Sequence, residues 1–363
     1  MISCDVLEEE IYKFLLKTIT KVEYMDIRSI KNNFPRKSMH LQTLNEFIGD
    51  TSIDSKYYSE FSTIIEYIQN LIIINNNFKL NTGIVDLINA QKNLKNFEWI
   101  DKFNEDDFVS VEPYHEILWA LGNKGDTLNK IEIYFHNTDD FSDRLFENFF
   151  PKLHKLKTFI INDVLNFNQS NLRTLAYPNL EIFNVDYVLF DVALCIIENS
   201  GGKLKKILLK DHNNYDNGRY ESNFNNDSLY FIRGVYENCP LVECITIFLP
   251  PSGIHFSEFE ILLRRCNKIK KIVFNIYMVD VDENVKNFFE NEFLNILIRS
   301  APASLRKIKF LSKFSFPSET FELFLESRKN HSFSIKTSGP SICDKEYFIN
   351  ITKKYKNLKV LYD

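Results

Sequence analysis

Four stretches share one pattern: Leu204-Lys-Lys-Ile207-Leu-Leu209, Val242-Glu-Cys-Ile245-Thr-Ile247, Ile269-Lys-Lys-Ile272-Val-Phe274 and Leu305-Arg-Lys-Ile308-Lys-Phe310. Each opens on an apolar residue, continues with two mostly polar ones, and ends apolar, free, apolar. The second half alternates with period two, so its two apolar side chains point to one face of a short strand. The leading apolar residue tucks the incoming turn beneath that strand. One such strand cannot bury its face alone, so the copies are expected to stack.

Upstream the pattern returns as Val22-Glu-Tyr-Met25-Asp-Ile27, Ile68-Gln-Asn-Leu71-Ile-Ile73, Leu94-Lys-Asn-Phe97-Glu-Trp99 and Leu128-Asn-Lys-Ile131-Glu-Ile133. Leu156-Lys-Thr-Phe159-Ile-Ile161 and Leu180-Glu-Ile-Phe183-Asn-Val185 complete the series. After the long first gap, successive starts lie 24 to 38 residues apart, near or above leucine-rich-repeat spacing. Leu41-Gln-Thr-Leu44 is read as a degenerate copy inside that gap, and Leu358-Lys-Val-Leu361 as a truncated last one.

Helix signals lie between the strand signals. Phe190–Asn199 is apolar at helical spacing and ends at Gly201-Gly202, a helix stop. Ser257-Glu-Phe-Glu260 reads as a capping box opening a helix. Asn287–Arg299 and Ser318–Arg328 are amphipathic. The expected fold is α/β: a leucine-rich-repeat solenoid (horseshoe) with parallel strands on the concave face and helices on the convex face. Residues 1–60 are expected to form an N-terminal helical or cap segment, and residues 61–363 irregular repeats with a C-terminal cap.

Composition agrees. The chain has 363 residues, 44% hydrophobic and 26% charged, enough to bury a core. Its net charge of −5 and lack of a Lys/Arg block give no electrostatic footprint for nucleic acid or an anionic membrane. No apolar run approaches the ~20 residues of a membrane span. The N-terminus carries acids where a secretory signal would be apolar. The six cysteines form no Cys-x-x-Cys pair, so reduced thiols in the cytoplasm or nucleus are expected.

The stretches Phe231–Ile247, Phe259–Val273 and Phe293–Phe310, with Phe321–Arg328 and Leu87–Leu94, resemble the repeats of F-box leucine-rich-repeat proteins. They are similar to an F-box-like set expanded in arbuscular mycorrhizal fungi, over roughly residues 60–330. In that family an F-box binds the Skp adaptor of an SCF-type (cullin) ubiquitin ligase, and the repeats hold a substrate. The resemblance therefore implies a substrate-recognition arm and a cytoplasmic or nuclear location. Asp5–Leu15 lacks the leading Leu-Pro of an F-box, and no later helix of the expected kind follows. A complete F-box is thus expected to be absent. The alternative is a stand-alone binding protein with no ligase role.

No catalytic constellation stands out, so no enzyme activity, cofactor or metal is expected. His115-Glu116 and His136 lack His-Glu-x-x-His spacing. Gly201-Gly-Lys203 lacks the rest of a phosphate loop. Asp139-Asp140 and Asp280-Val-Asp282 have no EF-hand loop around them. Cys239 and Cys266 suit tight corners before strands; metal binding is the alternative. Trp99 and Trp119 are expected in the core. The functional surface follows from strand geometry, because residues between and just after the apolar pair face away from the helices. That names Glu98, Glu132, Tyr134, Asn162, Asn184, Asp186, Lys210, Thr246, Asn275 and Lys309 as candidate partner-binding residues. A polar face with aromatic anchors suits protein recognition.

Overall fold

The computed structural model describes residues 14, 21–28, 41–76, 79–102, 114–135, 149–165, 176–210, 224–276, 283–311, 317–337, 351, 353–355 and 358–362. The chain divides into two compact units, Met1–Leu180 and Glu181–Asp363.

In the first unit six strands pair in parallel, in chain order. They are β1 (Tyr24–Asp26), β2 (Glu46–Asp50), β3 (Asn70–Asn75), β4 (Asn96–Asp101), β5 (Lys130–Tyr134) and β6 (Thr158–Leu165). Parallel neighbours need a crossover. Here α1 (Ser55–Ser62), α2 (Thr82–Ala90) and α3 (Tyr114–Gly122) supply three of them, with α1 against α2 and α2 against α3.

The second unit repeats the plan. Its strands are β7 (Ile182–Val188), β8 (Lys206–Lys210), β9 (Cys244–Phe248), β10 (Lys271–Asn275), β11 (Lys307–Phe310), β12 (Phe333–Thr337) and β13 (Leu358–Tyr362), again parallel and in order. Between them run α4 (Phe190–Glu198), α5 (Phe224–Asn238), α6 (Gly253–Arg265), α7 (Glu283–Ser300) and α8 (Ser318–Ser327), each packed on the next. Each unit is therefore an α/β solenoid of the leucine-rich-repeat type.

The repeat pattern explains the packing. The leading residues Ile68, Leu94, Leu128, Leu204 and Leu305 are fully buried. Each such side chain contributes on the order of 2 kcal/mol by leaving water. The strand's apolar alternates meet the helices: the Phe274 ring lies 5.5 Å from Phe259 of α6 and 4.9 Å from Phe293 of α7. The backbone repeats as well. The carbonyl of Gln69 accepts from the N–H groups of both Lys95 and Asn96, and that of Glu243 from those of Lys270 and Lys271. One oxygen uses both lone pairs on the next repeat, which pins the register.

Corners between helix and strand are closed by side chains reaching back one repeat. Gln91 donates to the Ile65 carbonyl at 2.7 Å, and Arg328 to those of Ala301 and Pro302. Cys266 Sγ lies 3.9 Å from the Cys239 carbonyl. Both thiols are fully buried. Burial pushes Cys239 up to about 12 and Cys266 up to about 11, so neither is a thiolate at neutral pH.

Several expectations are corrected. Residues 1–60 hold β1 and β2, so the strand stack starts before residue 61. The copy in the first gap is Leu44-Asn-Glu-Phe47-Ile-Gly49, three residues later than expected. β12 went unread: Ile335 pairs with Ile308, which puts exposed Ser332 in the leading slot. In β13 Val360, not Leu361, pairs with Ile335, so the register is one residue from the one expected. Helix α6 opens at Ser252, whose hydroxyl caps His255 N–H, and Ser257 lies inside it, donating to the Gly253 carbonyl. The stop at Gly201-Gly202 holds, with φ of 65° and 73°. The F-box segment 5–15 lies outside the described residues apart from Phe14, as do His136, Asp139, Asp140, Asp280 and Asp282.

Candidate interaction surface

Alternation leaves each sheet with one face against helices and one facing away from them. On the first unit's open face the parallel register aligns Ile48, Ile72, Glu98, Glu132 and Ile160 in one row. Glu46, Asn70, Asn96, Lys130 and Thr158 form the row beside it. Glu98 and Glu132 are thus cross-strand neighbours. Burial and the Glu132 carboxylate both raise the Glu98 carboxyl above its ordinary value, while Lys130 opposes this. Lys130 pairs with Glu132 at 3.0 Å. Tyr134 pairs with Ile100 in a third row, and Asn162 is exposed on β6.

In the second unit Asn184, Asn275 and Lys309 are half-buried on the open side. Two further candidates are not surface groups. Asp186 is buried, and Thr246 is 1% exposed with its hydroxyl accepting from Leu209 N–H. Lys210 ends β8, and its side chain lies outside the described residues.

The charges that look scattered in sequence are sorted by strand. Strands β1 to β6 carry seven acidic residues and one lysine. Strands β8 to β13 carry seven lysines and no acid. The whole-chain net charge of −5 hides this segregation, which appears once the strands are separated from helices and loops.

A buried polar chain ends the first unit's strands. Thr51 Oγ1 donates to Asn75 Oδ1 at 2.9 Å, and Asn75 Nδ2 to Asp101 Oδ1 at 2.8 Å. Trp99 Nε1 also donates to Asp101 at 2.7 Å, and Tyr114 donates its hydroxyl there. The clue was the Thr, Asn and Asp recurring at or just past strand ends. Trp99 is in the core as expected. Trp119 is not: it is 52% exposed on α3, with Lys152 Nζ 4.4 Å from its ring.

Ser228, His255 and Ser252 form a Ser–His contact that sequence reading passed over. His255 is 3% exposed and Ser228 fully buried, while Ser252 is half-buried. A neutral imidazole satisfies the cluster. The Ser252 hydroxyl donates to Nδ1, Nε2–H donates to Ser228, and Ser228 donates to the Asn225 carbonyl. Among the described residues no group of His, Cys, Asp and Glu is placed to hold a metal. No described helix is long and apolar enough to cross a membrane.

No family model matches the sequence. No curated protein matches it either. Among solved structures the chain is similar to the yeast Rad7 and Elc1 complex, at 12% identity with a TM-score of 0.45, over 94% of this chain and 85% of that one. This likeness is too distant to bear on function.

Proposed function

We propose that this protein is a protein-binding scaffold whose open sheet faces receive the partner. One observation carries the reading. Half-buried polar, charged and apolar side chains alternate in register across the face away from the helices, with cross-strand rows such as Ile72–Glu98–Glu132–Ile160. Such a face offers apolar contact area with interspersed charges, which is the composition of recognition surfaces. The Cys239 and Cys266 thiols are buried and raised, the Cys244 thiol is raised by burial, and His255 and Ser228 are buried, so these groups support packing rather than chemistry.

The finer reading is a substrate-recognition arm of an SCF-type ubiquitin ligase. It rests on the repeat resemblance of Phe231–Ile247 and Phe293–Phe310 alone. Co-purification of the full chain with the Skp adaptor tests it. Stoichiometric retention supports the ligase role. No retention removes that role and leaves a stand-alone scaffold.

A further inference from the structure

We propose that the open face of β8 to β13 binds an acidic polypeptide segment; this deepens the scaffold reading above and rests on it. Register places Lys206, Cys244, Lys271, Lys307, Ser334 and Lys359 in one row across the six strands. Lys309 and Lys336 face each other in the next row. Adjacent strands lie ~4.8 Å apart, so Lys271–Lys307 and Lys309–Lys336 are like-charge neighbours, an unfavourable arrangement in a sheet. Lys206, Lys271 and Lys307 make no ion pair with any described residue.

The contrast one residue upstream shows that the fold can neutralise lysines where it needs to. Lys205 pairs with Glu181 at 2.6 Å and Lys270 with Glu243 at 2.7 Å. Among the described residues the face row receives no such carboxylates, and its six strands contain none. Partial burial disfavours the Lys271 charge, and the neighbouring Lys307, Lys206 and Lys309 add to this while Cys244 opposes it. A carboxylate-bearing partner relieves that crowding.

Among polyanions, the face favours protein. Its described side chains between the lysines are half-buried Leu208, Cys244 and Ser334, with Thr246 and Val273 buried beside them, all apolar or small. Among the described residues of this face there is no arginine, and Phe248, in register with Asn275, is buried against Phe190 and Phe231, so no ring is open for bases to stack on, the usual device of single-stranded nucleic-acid binders. Apolar gaps between lysines fit a segment in which Asp or Glu alternates with aliphatic residues.

The test is selection of a random sixteen-residue peptide library on the full chain, followed by affinity measurement on K271Q/K307Q and K271E/K307E. Circular dichroism checks folding, and the neutral pair keeps the test valid should the reversed pair fold poorly. The expected result is enrichment of acidic peptides, with binding weakened about tenfold by K271Q/K307Q and further by K271E/K307E. Neutral or basic peptides lost on the same variants would overturn the acidic class and leave the scaffold reading standing. Selection of no peptide at all would overturn both. A twelve-nucleotide RNA or phosphatidylserine vesicles bound as tightly as the acidic peptide would also overturn the proposal.

Discussion

The Tyr58 hydroxyl occupies the space that Gly49 leaves empty. A Cβ on Gly49 would stand 2.5 Å from that oxygen, which accepts from the Asp50 N–H and donates to the Asp50 carbonyl, both at 2.7 Å. The third apolar slot of this repeat is thus filled from helix α1 rather than from the strand. Gly49→Ala should push the ring out and cost about 1–3 kcal/mol. Tyr58→Phe takes this partner from the buried Asp50 N–H and leaves the Asp50 carbonyl with the Ile53 N–H at 3.2 Å, a loss of about 1–3 kcal/mol. Urea unfolding of the two variants and their double mutant checks both figures, and the double mutant should cost less than the sum.

His255 gives a pH dependence. Burial lowers its folded pKa below the ordinary 6.5. The unfolded chain therefore binds its proton first, and stability present above pH ~6.5 declines as pH falls below it. His255→Asn should flatten the fall in urea midpoint between pH 7.5 and 5. An equal fall in both proteins would remove His255 from the account.

Glu98 works in the opposite sense. Its folded pKa is raised by burial and by Glu132, so its ionised form is disfavoured in the folded state. Glu98→Gln should stabilise the protein at pH 7 by up to ~1 kcal/mol, the range of a like-charge cross-strand pair. The gain should shrink toward pH 4, where Glu98 takes up its proton. Thermal melts at the two pH values read it.

Glu260 ties α6 to α7. Arg299 donates to its two oxygens at 3.0 and 2.7 Å, and Ser300 adds a third bond at 2.8 Å. The bonds from Arg299 hold the Glu260 carboxyl down at about 2. Its stabilisation is complete above the ordinary 4.5 and is lost as pH falls from there toward 2. Because Arg299 is partly solvated, Glu260→Gln should cost only about 1 kcal/mol at pH 7. The difference from the parent chain should vanish near pH 2.

The parallel strands were legible wherever a leucine, isoleucine or valine led the repeat. They were missed or misplaced where another residue took a slot. Gly49 moved the first-gap copy by three residues, because its partner Tyr58 is visible only in three dimensions. Exposed Ser332 in the leading position hid β12. Trp119 looked like core because an apolar helix residue carries no sign of which side it faces. Candidate site residues followed from strand alternation, yet alternation does not measure depth, and Thr246 and Asp186 are buried. The charge sorting was hidden because it concerns the strands alone, and helices and loops of mixed charge lie between them along the chain.

Site-specific photo-crosslinking in cells tests the central claim most directly. A benzophenone amino acid is placed singly at Glu98, Tyr134, Asn184 and Lys309 on the open faces, and at Trp119, Tyr230, Ile254 and Leu323 on the exposed sides of the helices. The account predicts discrete protein adducts from the open-face positions and few from the helix positions. Adducts confined to the helix positions would contradict it.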